Sequence, residues 1–305
     1  MIKKIFSFSF ILTLLIFSCS SDSDDNSSEV WEQKSEMLTN WADNFISPSY
    51  TTLTNNLVLL EESGNTFAGS TNLQNLENLR ASFINAYMSW QYVEMFDIGL
   101  AEETYYKSKM NIYPTTVSRI ELNIQNGNTD FNNSNNYAAQ GFPALDYLLY
   151  GIENSDELIL SKYNNESQYL SYLSQIINQM LQNTSPIVED WQSYRNTFIS
   201  SVENTATSSV NKMTNDFIYY YEKGFRANKF GIPAGVFSGG ALPEKVEAFY
   251  NQNISKALAL EGFQAIKNFY NGNGGVSLRQ YISEVATEEY SELSTDILDQ
   301  FNIAE

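Results

Sequence analysis

The 305-residue chain has no histidine and a single cysteine, Cys19. The first absence removes the side chain that titrates nearest neutral pH and, with it, the commonest zinc ligand. The second excludes any disulfide within the monomer. Positive charge is scarce too: 17 Lys and Arg stand against 36 Asp and Glu, a net charge of −19. Such a chain repels phosphate backbones and anionic membrane surfaces, so no nucleic-acid partner is expected, while cations and basic partners are attracted. Alternation of Val, Thr and Ile at period two is rare, which argues against β-strands. The one long apolar run, Ile5 to Phe17, is too short to span a bilayer well.

What is present points to a folded, exported protein. A content of 43% hydrophobic and 14% aromatic residues supports one large core or two modest ones. Lys3 and Lys4 precede the apolar run, and Ser18 and Cys19 follow it, in the layout of a secretory signal over residues 1–18. Ile16-Phe17-Ser18-Cys19 resembles a bacterial lipobox, which implies that Cys19 becomes the lipidated first residue of the mature chain. Removing Lys3 and Lys4 with the signal takes the net charge to −21. Residues 19–30, rich in Ser and Asp, contain little that packs and read as a flexible acidic tether. The same stretch resembles the signal that sends lipoproteins of Bacteroidetes-type bacteria to the cell surface. The expected location is therefore the bacterial outer membrane, facing the periplasm or exported to the surface.

From Trp31 onward the apolar spacing is helical. Leu73, Leu76, Leu79, Phe83, Tyr87 and Trp90 recur at three and four, as do Tyr169, Leu173, Ile176, Ile177, Met180 and Leu181. The stripes Val246, Phe249, Tyr250, Ile254, Leu258 and Leu293, Ile297, Leu298, Phe301 repeat the pattern. Breaks are expected at Pro48, Pro114, Pro143, Pro186, Pro233 and Pro243. Residues 123–136 read as a solvated Asn-rich loop, and residues 272–275 as another. The expectation is an all-α bundle over residues 31–305, in two packed helical halves of about 31–160 and 168–305. A Trp-Gln pair in each half, Trp90-Gln91 and Trp191-Gln192, suggests an ancient duplication.

Several strings in order carry a family resemblance. They are Trp90 to Gly99 (WQYVEMFDIG), Ile112 to Glu121 (IYPTTVSRIE), Gln140 to Gly151 (QGFPALDYLLYG), Tyr220 to Arg226 (YYEKGFR), Lys229 to Gly235 (KFGIPAG) and Val246 to Ser255 (VEAFYNQNIS). Together they resemble the imelysin family, the M75 peptidases, whose domain is shared with iron-regulated lipoproteins. That resemblance implies an imelysin-like helical bundle. The family hallmark is Gly-x-His-x-x-Glu, and Gly141, Pro143 and Asp146 stand at its three positions. Proline offers no lone pair to a metal and no proton to a substrate. It does suit the first turn of a helix, where a missing N–H costs nothing. Asp146 just beyond it has two readings: a carboxylate favoured by the helix dipole, or a ligand. Gly151 is placed to end that helix in a left-handed cap.

Other candidates accompany Asp146. Glu94 and Asp97, spaced i and i+3, can share a pocket, and oxygen-only sites suit hard cations such as calcium or ferric iron. Glu94 with Asp146 is the expected metal pair, with Asp97 as a further oxygen donor. Arg226 and Lys229 can hold an anionic ligand or neutralise these carboxylates. Arg119 beside Glu121 reads as a possible buried pair, and Glu247 as opening the helix at Val246. Two main function classes follow. The first is an envelope protein that binds a metal ion, iron above all, or a small ligand, in support of uptake with an envelope partner. The second is a peptidase, which without histidine would need a carboxylate with a raised pKa as general base. A non-catalytic surface interaction protein is a third.

Overall fold

The computed structural model describes residues 24–305. The signal segment 1–18 and Cys19 lie outside the described residues. Helix α1 (Asp24–Asn40) begins inside the stretch expected to be a tether. It passes through a widened π turn, Trp41–Ile46, directly into α2 (Ser47–Gly69), because Asn40 and Ser47 both keep right-handed helical backbone. The expected break at Pro48 is therefore absent. Pro48 has no N–H to give the preceding turn, and the π turn just upstream accommodates that loss without ending the helix. Helix α3 (Leu73–Trp90) follows, capped by the Asn72 side chain accepting from the Asn75 N–H at 3.0 Å.

Short helices α4 (Leu100–Glu103), α5 (Tyr106–Met110) and α6 (Val117–Asn126) then lead to α7 (Gly141–Tyr150) and α8 (Asp156–Asn165). The Asn-rich stretch 123–136 is not simply solvated. Asn123 and Asn136 are buried and bond each other at 3.1 Å, and Asn123 also donates to the Tyr172 hydroxyl. Helix α9 (Ser167–Ser200) runs straight through Pro186. Thr184 and Ser185 donate to the carbonyls of Met180 and Leu181 in the turn before it, and α9 is held along its length against α2. Packing of that apolar face outweighs the local cost of the proline. Thus α9, which opens the expected second half, packs with α2, α7 and α8 of the first.

The remaining chain is α10 (Ser209–Tyr219), a second π segment at Tyr220–Gly231, α11 (Gln252–Asn271), α12 (Leu278–Val285) and α13 (Leu293–Ala304). No strand occurs among the described residues. The all-α expectation holds, and most residues of the four stripes are buried. Phe269 of α11 joins the two groups of helices: it stacks on Trp41 at 4.8 Å and meets Phe45, Phe96 and Phe217 within 5.7 Å. Helix α7 passes through the core, since every residue from Gly141 to Leu149 is buried and not one side alone. Gly141 has φ +72°, and a Cβ there would strike the Met110 carbonyl. Gly151 is not left-handed (φ −117°); glycine is required because the Tyr250 ring lies where a Cβ would be.

Candidate functional site

Four segments bring charge into the interior where α3, α5, the second π segment and the approach to α11 meet. Gln91 and Glu94 come from the turn after α3, Asn111 from the end of α5, Tyr220 and Lys229 from the π segment, and Glu247 from the turn before α11. Lys229 is the centre. Its side chain is 1% exposed, and its ammonium donates to Glu247 Oε2 at 2.6 Å, Gln91 Oε1 at 2.8 Å and Glu94 Oε2 at 3.2 Å. The two carboxylates are as buried as the lysine. Asn111 spans them, donating to Glu94 Oε1 at 3.0 Å and Glu247 Oε1 at 2.8 Å, and its own oxygen accepts from the Tyr87 hydroxyl. Gln91 adds a bond to Glu247 Oε1 and Tyr220 one to Glu94 Oε2. All four carboxylate oxygens and all three ammonium protons are matched, as a buried ionic group requires.

The electrostatics follow from this arrangement. Burial by itself would lower the Lys229 pKa, yet Glu247 and Glu94 hold it above its ordinary value. Burial would likewise raise Glu94, and the charges of Lys229 and Lys107 with the Asn111 bond keep it below the ordinary glutamate value. Tyr113, after α5 and joined to Pro114 by a cis peptide, stands over the cluster. Its hydroxyl is buried without a partner, and burial, Glu247 and Glu94 push its pKa well up. The Tyr113 side chain lines two cavities. One, of about 200 Å³, includes Pro143, Asp146, Val246 and Tyr250. The other, of about 340 Å³, includes Asp97, Lys107, Asn111, Asp216 and Tyr220.

Asp146 lies apart from the charged cluster. Its carboxylate accepts the backbone N–H of Tyr250 at 2.8 Å and of Asn251 at 2.9 Å, so it fastens α7 to the start of α11. Burial pushes its pKa up to about 6 against the pull of those two bonds. The helix expected from Val246 begins only at Gln252. Residues 246–251 are instead spent on the site: Glu247 reaches Lys229, Ala248 takes φ +55°, and Tyr250 and Asn251 bind Asp146.

Several expected groupings are not formed. Glu94 and Asp97 diverge, because the chain after Trp90 turns out of the helix and i, i+3 no longer shares a face. Asp97 lines the larger cavity instead. Glu94 and Asp146 share no partner. Arg226 does not balance the carboxylates: it is exposed and pairs with Glu222 one turn away. Arg119 makes no ion pair with Glu121, whose carboxylate accepts from the hydroxyls of Tyr147, at 2.6 Å, and Tyr169. Lys229 meets the carboxylates of Glu94 and Glu247, and neither Asp97 nor Asp146. Gln91, Asn111, Tyr113 and Tyr220 were not singled out although each lies in or beside a family string. Lys107 and Asp216 carried no sequence signal.

A profile of the imelysin family, the M75 peptidases, matches residues 46–305. The chain belongs to the imelysin family. Two solved structures share the fold. One is described as an iron-regulated protein A precursor of Parabacteroides distasonis ATCC 8503: TM-score 0.73, 16% identity, covering 89% of this chain and 83% of that one. The other is an imelysin-like protein from Psychrobacter arcticum 273-4: TM-score 0.67, 17% identity, covering 89% of this chain and 82% of that one. A comparison with curated proteins finds none that matches.

The residues of this imelysin do not suit a bare metal ion. Glu94 and Glu247 are taken by Lys229 and Asn111, and Asp146 by two N–H groups. Among the described residues no group of three Asp, Glu, Cys or His side chains converges to hold a metal. Nor is any described helix long and apolar enough to cross a membrane.

Proposed function

We propose that this imelysin is an exported, lipid-anchored binding protein that holds a small ligand at the Tyr113-walled cleft, in support of uptake, and does not hydrolyse peptides. The observation that carries the reading is the Lys229 network. It leaves neither Glu94 nor Glu247 free to bind a metal or take a proton, while two cavities open on either side of Tyr113. Iron enters this reading as part of a carried ligand, not as a naked ion; the Parabacteroides relative is described as iron-regulated, which suits a role under iron limitation. Anchoring rests on the lipobox at Cys19.

One observation favours a hydrolytic reading: the Asp146 carboxyl, at about 6, titrates where a general base is useful, and it borders a cavity. Both its oxygens are engaged by backbone donors. Incubation of the mature protein with unstructured polypeptides, with and without chelator, decides between the two. No cleavage is expected. Chelator-sensitive cleavage that Asp146→Ala abolishes would restore the peptidase.

A further inference from the structure

The larger cavity, of about 340 Å³, lies between the turn after α3, α5, α10 and the second π segment. Four charged side chains line it: Asp97, Lys107, Asp216 and Lys223. None of the four forms a side-chain hydrogen bond or an ion pair among the described residues. Lys107 rests over the Tyr220 ring at 5.0 Å and acts on Glu94, Asp97 and Asp216 through space, without a direct contact to any of them. Asp216 Oδ2 is buried with no donor, and the Tyr113 hydroxyl on the same wall is buried with no partner. Buried polar atoms left unmatched are costly, so two on one cavity point to a group that completes them.

The signs of these charges define that group. Burial raises both carboxyls against the pull of Lys107 and Lys212, and Asp216 also feels the charge of Asp97, which favours the arrival of a cation with N–H donors. Lys107 and Lys223 ask for the reverse, an acceptor carrying negative charge. Lys107 and Lys212 act on both acids through space, but no ion pair closes between the acids and the lysines of this wall, and a molecule with both charges bridges them. A lone metal ion is disfavoured by two ammonium groups and by the absence of a third ligand. A simple anion meets two carboxylates. The volume sits at the small end of the range of about 300–1,000 Å³ in which protein cavities hold small molecules.

We infer that this cavity binds a small zwitterion of the α-amino acid kind, its ammonium at Asp216 and Asp97 and its carboxylate at Lys107. The Tyr113 hydroxyl and the Asn111 edge supply neutral contacts at the wall shared with the buried cluster. The inference rests on the binding reading above only in taking the cleft to hold a ligand and not to cleave one.

The test uses the mature protein and calorimetric titration with the common amino acids, beside butylamine and butyrate as carriers of one charge each. At least one amino acid should bind saturably, about tenfold or more tighter than either half-ligand. Asp216→Asn and Lys107→Met should each weaken it by about tenfold or more, with an unaltered helical circular dichroism spectrum, and Lys107→Arg should restore most of the loss. The inference is overturned if no amino acid binds up to millimolar concentration, if butylamine or butyrate binds as tightly, or if the folded variants bind like the parent. The polypeptide cleavage assay run alongside separates the two claims. Absence of amino-acid binding without cleavage removes this inference alone, and cleavage removes the reading beneath it.

Discussion

Replacing Lys229 with methionine keeps the length and apolar stem of the side chain and removes only its charge and donors. Three oxygens, from Glu247, Gln91 and Glu94, would then converge on a thioether, and two carboxylates with 2–3% exposure would face each other with no cation between them. Breaking a buried pair in this way costs about 3–5 kcal/mol, because the partner's charge stays buried and uncompensated. Against a total stability of about 5–15 kcal/mol the variant should remain folded at neutral pH, with a Tm lower by about 10 °C. The pH dependence gives the sharper test. In the parent, Glu94 is held below its ordinary value of 4.5, so its contribution is present above that pH and is lost as pH falls through the lower folded value. Lys229 is held above 10.5, so its contribution is complete below that pH and is lost as pH rises through the higher folded value. In Lys229→Met the lysine no longer offsets the burial of Glu94, and only Lys107 and the Asn111 bond still pull that carboxyl down, so acid relieves the variant while it weakens the parent. Urea unfolding followed by tryptophan fluorescence should show a gap that is wide at about pH 7 and narrow at about pH 4. A loss below about 1 kcal/mol at neutral pH, or a gap independent of pH, would refute the account of the network.

Two further outcomes can be measured. Asp146, raised from 3.8 to about 6, contributes stability that is complete below 3.8 and disappears as pH rises through 6. Relative to Asp146→Asn, the parent should lose about 3 kcal/mol across that window, and denaturation curves whose difference stays flat would contradict the burial of this carboxyl. Cys19→Ala should release the protein from membranes in cell fractionation, and continued detergent-dependent sedimentation would rule out the lipid anchor.

The helical class was legible because each stripe depends on residues three and four apart, whose relation is set by the helix itself. The positions 76, 79, 83, 87 and 90 bury one face of α3 whatever lies opposite. Proline was misleading for the same reason. Pro48 and Pro186 are local signals for a break, but their helices are held by contacts with distant segments. Within the site, Asp146, Glu94, Lys229 and Glu247 were each visible as candidates, and their pairing was not. Arg226 and Lys229 look equivalent in a helix of ordinary pitch. In the π segment, bonded i to i+5, residues three apart no longer lie on one face, so one is exposed and the other buried.

Composition and periodicity alone thus specify an acidic, histidine-free, helical protein and exclude a histidine-ligated zinc centre. Which charge meets which was settled only by folding. Gln91 and Glu247 are 156 residues apart in sequence, Lys229 and Gln91 138, and Tyr250 and Asp146 104. The stability of a buried ionised group depends on donors within about 3 Å, and sequence distance says nothing of such separations. For that reason Glu94, expected to hold a metal with Asp146, proves to be held with Glu247 by the chain's own lysine, and Asp146 by two backbone N–H groups, while Asp97 and Asp216, both lining an open cavity, form no hydrogen bond or ion pair among the described residues.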